Sequence, residues 1–117
     1  MSDDEKEDND DERYLVVKGR RWRRQDPSIP DDVAAVLRSH LGRGRSAVGL
    51  AKRQDHDPAP FRRRVGLAKH GLGERGTPWW EQSTPERRQR WELAVSELEA
   101  LDRQDPESAG HKDGTRP

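Results

Sequence analysis

Cysteine is missing from this sequence altogether, and long apolar runs are missing with it. The first absence excludes a disulfide framework and a thiolate metal site. The second excludes a membrane-spanning helix, which needs about 20 consecutive apolar residues. The opening stretch MSDDEKEDNDDE is acidic and has no apolar core, so it does not read as a signal peptide, and the expected location is cytoplasmic. Apolar residues are scarce throughout: 28% of the 117 residues are hydrophobic against 39% charged, and the mean hydropathy is −1.33. Such a chain lies near the limit at which buried apolar surface offsets the entropy of ordering. One small core with disordered ends is the expectation.

Net charge is also missing, but the zero conceals segregation. Residues 1–12 hold eight acidic groups and one lysine, residues 13–75 hold sixteen Lys or Arg against six Asp or Glu, and residues 76–117 hold six basic and nine acidic groups. A block of like charge repels itself, so residues 1–12 read as a disordered acidic tail. That tail either keeps a basic protein in solution or folds back over the basic surface to compete with an acidic partner. Screening over about 8 Å at physiological salt restricts the second role to close contact.

The ordered part begins at RYLVVKGRRWRRQDPSIP. Tyr14 to Val17 is a β-branched and aromatic run, and Lys18-Gly19 suits a two-residue turn. Pairing about that turn sets Val17 opposite Arg20 and Leu15 opposite Trp22, so Leu15, Val17 and Trp22 share one face. A lone hairpin is marginal in water, which requires that face to lie on helices. Asp26-Pro27 and Ile29-Pro30 end the strand, because proline has no amide to donate. Asp31 and Asp32 then open a helix with acidic groups at its positive end. Val33, Leu37, Leu41, Val48 and Ala51 mark its apolar face across residues 31–53, with Gly42, Gly44 and Gly49 predicting a weak point near Arg43. Asp57-Pro58 starts a second helix with the stripe Phe61, Val65, Ala68 and Leu72, ended by Gly71 and Gly73. Ser83 and Glu86 fit a capping box for a third, on which Trp91, Ala94, Leu98 and Leu101 line one side.

The fold expected is therefore a small α+β domain over residues 13–104, with a two-stranded β-hairpin at 13–24 packed on about three helices near 31–53, 59–71 and 85–103. A disordered tail follows at 105–117. Trp22 and Trp91 are expected in the core, and one of Trp79 and Trp80 is expected to cap the bundle.

VGLAK occurs twice, at residues 48–52 and 65–69. The spacing of 17 is shorter than solenoid repeats of about 20–50 residues. Each copy supplies a valine and an alanine three apart to an apolar face, so two helices filling one core explain most of the identity. Arginines surround both copies. Arg43, Arg45, Lys52 and Arg53 flank the first, and Arg62, Arg63, Arg64 and Lys69 flank or close the second. With the helices antiparallel, these groups and Arg20, Arg21, Arg23 and Arg24 of the hairpin line one surface. Arginine is planar, permanently charged and bidentate toward phosphate, so that surface is the footprint of a nucleic-acid binder. A solvated basic face without a ligand is the alternative.

GLGERG at residues 71–76 matches a dinucleotide-binding fingerprint letter for letter. That fingerprint needs a strand before it and a helix opening inside it. Here a helix precedes it and TPWW follows, so the glycines read as a cap and turn. His40, His56, His70 and His111 show no zinc spacing, and no serine or histidine stands in a nucleophile context. The sequence implies neither an enzyme nor a cofactor. An exposed tryptophan of the Trp79-Trp80 pair beside Arg75 would suit base stacking or a protein contact. The two partner classes carried forward are thus nucleic acid, at the arginine surface, and another protein, at Arg75, Trp79 and Trp80. A membrane is not among them.

The segments GRRWRRQDPSIPDDV and LGERGTPWW resemble a group of small uncharacterised bacterial proteins. Their pattern couples a G-R-R-W-R hairpin and a D-P-x-I-P turn to a downstream L-G-E-R-G-x-P-W-W segment, and the likeness covers roughly residues 13 to 80. Some carry the label of a biopolymer transporter of the Tol type, a role that calls for a span or a signal. The resemblance implies a shared fold and no activity.

Overall fold

A computed structural model describes residues 11–104 of the protein; residues 1–10 and 105–117, which include most of the acidic head and the C-terminal tail, lie outside the described residues. The fold is α+β. Strands β1 (Tyr14–Val17) and β2 (Arg20–Arg23) form a hairpin, followed by helices α1 (Asp31–Arg53) and α2 (Ala59–Leu72), a 3₁₀ turn at Trp79–Glu81, and α3 (Thr84–Gln104). No helix among the described residues is long and apolar enough to cross a membrane.

The hairpin register is the one the turn dictates: Leu15 faces Trp22 and Val17 faces Arg20. Lys18 and Gly19 both take left-handed φ, 52° and 80°, the pattern whose twist matches paired strands. Asp11 and Glu12, expected within the disordered tail, belong to the structure. Residues 11–13 are helical, and Arg24 Nε donates to the carbonyls of Asp11 at 2.7 Å and Tyr14 at 3.0 Å.

The helix ends follow their local chemistry. Asp57 Oδ1 accepts the Ala59 amide at 3.0 Å. Gly73 closes α2 at φ 89°, with its amide and that of Glu74 returning to His70 O and Lys69 O. Ser83 and Glu86 form the reciprocal capping box, Glu86 Oε1 accepting the Ser83 amide at 2.8 Å and Ser83 Oγ the Glu86 amide at 3.3 Å.

α1 runs without a break through its glycines, and packing explains why two of the chain's helical glycines are there. A Cβ on Gly44 would lie 2.8 Å from Val65 Cγ2, and one on Gly71 would lie 2.6 Å from Ala94 Cβ and 3.0 Å from Leu37 Cδ2. Each marks a close approach of two helices that the propensity penalty alone does not foresee. The pairs Leu37–Gly71 and Gly44–Val65 also show that α1 and α2 run antiparallel. Between the three helices lies the core, with Leu37, Leu72 and Leu98 fully enclosed and Ile29, Leu41, Ala68, Trp91 and Ala94 around them. Ala51 and Ala68 of the two pentads are both buried, but only the second copy joins the core, through Ala68 with Val65 and Leu67 against it.

Trp22 departs from expectation. It is 42% exposed, and Val16 and Val17 are exposed too. The hairpin docks through its opposite face, where Tyr14 meets Trp80 edge-on with centroids 5.5 Å apart. The Leu15–Val17–Trp22 face is left overlooking α2 across an open groove.

Candidate nucleic-acid interface

Arginine plays two parts in this structure, and the interior part positions the surface one. Asp26 follows β2 and its carboxylate is fully enclosed. Arg90 Nη2 reaches Oδ2 at 2.6 Å, Arg87 Nη1 reaches Oδ1 at 3.4 Å, and the Ser28 amide and hydroxyl donate to Oδ1 at 2.8 and 2.7 Å. Burial alone raises the Asp26 pKa, but the hydrogen bonds from Arg90 and Ser28, with the Arg90 charge, outweigh it and hold the carboxyl below its ordinary value. Arg90 also donates to Gly71 O at 3.2 Å and Gln82 Oε1 at 2.6 Å. The Asp26 amide bonds Leu72 O at 2.9 Å, and the Trp79 indole donates to Arg24 O at 2.9 Å. Arg23 Nη1 caps Gly76 O at 2.9 Å. The segments GRRWRRQDPSIP and LGERGTPWW, far apart in sequence, thus meet in one joint that fixes the hairpin to the ends of α2 and α3.

A second interior cluster ties α1, α2 and α3. His40 is buried, with Arg64 Nη1 2.8 Å and Arg43 Nη2 2.9 Å from its Nδ1. Arg64 Nη1 also stands 2.9 Å from Asp102 Oδ1, and Arg43 Nη2 stands 3.7 Å from Oδ2. Burial lowers the His40 pKa first and the Arg43 charge lowers it further, against an opposing pull from Asp102. Arg64, at 6% exposure, is therefore an interior residue and not part of the phosphate-facing surface expected of it. Arg43 is half exposed and turned toward the same cluster.

The remaining cations form the candidate interface. A groove of about 730 Å³ is lined by Leu15, Val17 and Trp22 of the hairpin, by Arg23, Arg24 and Gln25 beyond it, by Arg45 of α1, and by Lys69 and Glu74 at the end of α2. Over the Trp22 ring stand the Arg20 guanidinium, 4.9 Å from the centroid, and Lys69 Nζ at 5.9 Å. Burial lowers the Lys69 pKa, and the positive charges of Arg75 and Arg45 lower it further, outweighing Glu74. Glu74 is itself engaged by Gln25 Nε2 at 2.9 Å. Among the described residues, Arg20, Arg21, Arg45, Arg62, Arg63 and Arg75 have no carboxylate within ion-pair distance.

The helix pair extends this surface. An arginine stands four residues before each pentad glycine and a lysine three after it, giving Arg45–Gly49–Lys52 and Arg62–Gly66–Lys69. Seven residues are nearly two turns, so within each set the two cations share a face about 10.5 Å apart. Each set lies one residue past the helix's own contact stripe (Gly44 and Ala51 on α1, Phe61 and Ala68 on α2). In an antiparallel pair that common offset brings both sets to the same side, and Arg45 and Lys69 indeed line one groove. Arg53 and Arg75 lie over the two glycines, their Nη1 atoms 3.5 and 3.7 Å from the position a Cβ would take. Arg75 consequently belongs to the cationic surface.

Neither tryptophan of the Trp79-Trp80 pair is exposed beside it. Trp79 is 7% exposed because its indole N–H is committed inside the joint. Trp80 is half-buried, with Tyr14 and Trp79 against its edges and Arg13 and Arg23 4.8 and 5.8 Å from its centroid. Both thus pack within the fold, and the exposed tryptophan is Trp22, which was expected in the core. The signal for Trp22 was its setting among four arginines with only Leu15 and Val17 as apolar partners. No group of three or more potential metal ligands occurs among the described residues. Comparison with family models, curated proteins and solved structures finds no match.

Proposed function

We propose that the protein is a non-enzymatic, cytoplasmic nucleic-acid-binding accessory protein that holds phosphate on the cationic side of the hairpin and the α1–α2 pair. The observation that carries this reading is the convergence of Arg23, Arg24, Arg45 and Lys69 on one groove, with Arg20 over the ring of its Trp22, against a single lining carboxylate, Glu74. Like charges gathered at one place are a standing cost relieved by a polyanion, and releasing its counterions drives association. The interior arginines contribute by fixing the hairpin, so the surface is pre-formed before a ligand arrives.

Fluorescence anisotropy with labelled oligonucleotides at about 50 and 200 mM salt tests the reading. Affinity should fall by about 0.7–0.9 log units per tenfold salt for each neutralised phosphate, and the double substitution Arg45→Gln, Lys69→Gln should flatten that slope by about two phosphates' worth. Absence of binding at micromolar protein and low salt would sink it.

A further inference from the structure

We infer that the groove takes single-stranded nucleic acid, with an unpaired base stacked on Trp22; this rests on the nucleic-acid reading and names its substrate class. The argument begins from what the groove offers together. Its floor is apolar and aromatic, from Leu15, Val17 and Trp22, while Arg20, Arg24, Arg45 and Lys69 supply positive charge around it. A ligand matching both features carries flat rings and repeated negative charge in alternation, which is the chemistry of a nucleic-acid strand.

Duplex satisfies only half of this. Its phosphates can meet the arginines, but its rings are stacked inside and closed to a side chain lying in a groove. A single strand turns its rings outward, and proteins that bind one combine a positive channel with aromatic platforms. Trp22 meets that description: 42% exposed, on strand β2, with two cations within 6 Å of its ring. A base stacking on the ring takes the place of the Arg20 guanidinium now lying over it, and its flanking phosphates then meet Arg20 and Lys69 beside it. The groove's volume of about 730 Å³ lies within the range of about 300–1,000 Å³ of ordinary ligand sites. From it the two lines Arg45–Lys52 and Arg62–Lys69 lead away along the helix pair, a path for the strand's continuing backbone.

The test is anisotropy of the full-length protein with a labelled single strand of about 12 nucleotides and with the same sequence as a duplex. The variants are Trp22→Ala and Trp22→Phe, with circular dichroism confirming that both fold. The inference expects tighter binding of the single strand, weakened by about 5- to 150-fold in Trp22→Ala at an unchanged salt slope, and largely recovered in Trp22→Phe. Equal binding of the single strand by wild type and Trp22→Ala would overturn it, as would preference for the duplex, while leaving salt-dependent phosphate binding intact. No binding of either probe would overturn both readings.

Discussion

Around Asp26 the guanidinium groups of Arg87 and Arg90 are matched to carboxylate, carbonyl, hydroxyl or amide oxygen within 3.4 Å. Around Trp22, four residues earlier in the chain, Arg20 lies on an aromatic ring and Arg45 has no acidic partner among the described residues. The residue type is the same and the difference is the carboxylate. Where one is enclosed with the arginine, the pair becomes part of the fold; where none is supplied, the charge faces outward for something else to neutralise. Composition therefore says little about what an arginine-rich chain does until its acids are placed.

The most severe way to break this contrast is Asp26→Asn. It leaves Arg90 buried without its counter-charge, and loss of about 3–5 kcal/mol is expected in urea unfolding, enough to consume most of a small domain's stability. A loss below about 1 kcal/mol would mean that Arg90 belongs with the surface set. Next comes Gly71→Ala, where a methyl 2.6 Å from Ala94 Cβ should destabilise by about 1–3 kcal/mol through overpacking. Gly42→Ala, with nothing within 4 Å, should stabilise the same helix pair by up to about 1 kcal/mol.

The His40 cluster supplies a pH test. Its folded pKa lies below the 6.5 of the free side chain, so the unfolded chain takes up the proton while the folded chain still refuses it. Stability should be complete above pH 6.5 and decline as the pH falls toward the folded value. In His40→Gln that decline should vanish from thermal melts recorded across the same range. The smallest effect sharpens the contrast from its other side: Arg20→Ala and Arg45→Ala should each change stability by no more than about 0.5 kcal/mol.

Much of the scaffold was legible because its signals are local. The Lys18-Gly19 turn, the Asp57 cap, the Ser83–Glu86 box and the left-handed Gly73 each depend on a few adjacent residues, and the helices near 31–53, 59–71 and 85–103 follow from them. What escaped depends on partners remote in the chain. Asp26 finds Arg90 64 positions away, and nothing near Arg64 announces that Asp102 and His40 will enclose it. Trp22 was assigned to the core because its face with Leu15 and Val17 is the more apolar one, yet the hairpin presented Tyr14 to the bundle, where Trp80 receives it.

The order in which the joint's parts are made has its own consequence. Strands β1 and β2 leave the ribosome early, but the carbonyl of Gly76 that receives Arg23 stands 53 positions later and Arg90 stands 64 positions after Asp26. At translation rates of about 5–20 residues per second, the hairpin waits roughly 3–13 s for the groups that anchor it. A two-stranded ribbon alone is marginal in water. The groove at Trp22 is thus assembled only when α3 has been synthesised, and a nascent chain that ends before α3 has no formed groove.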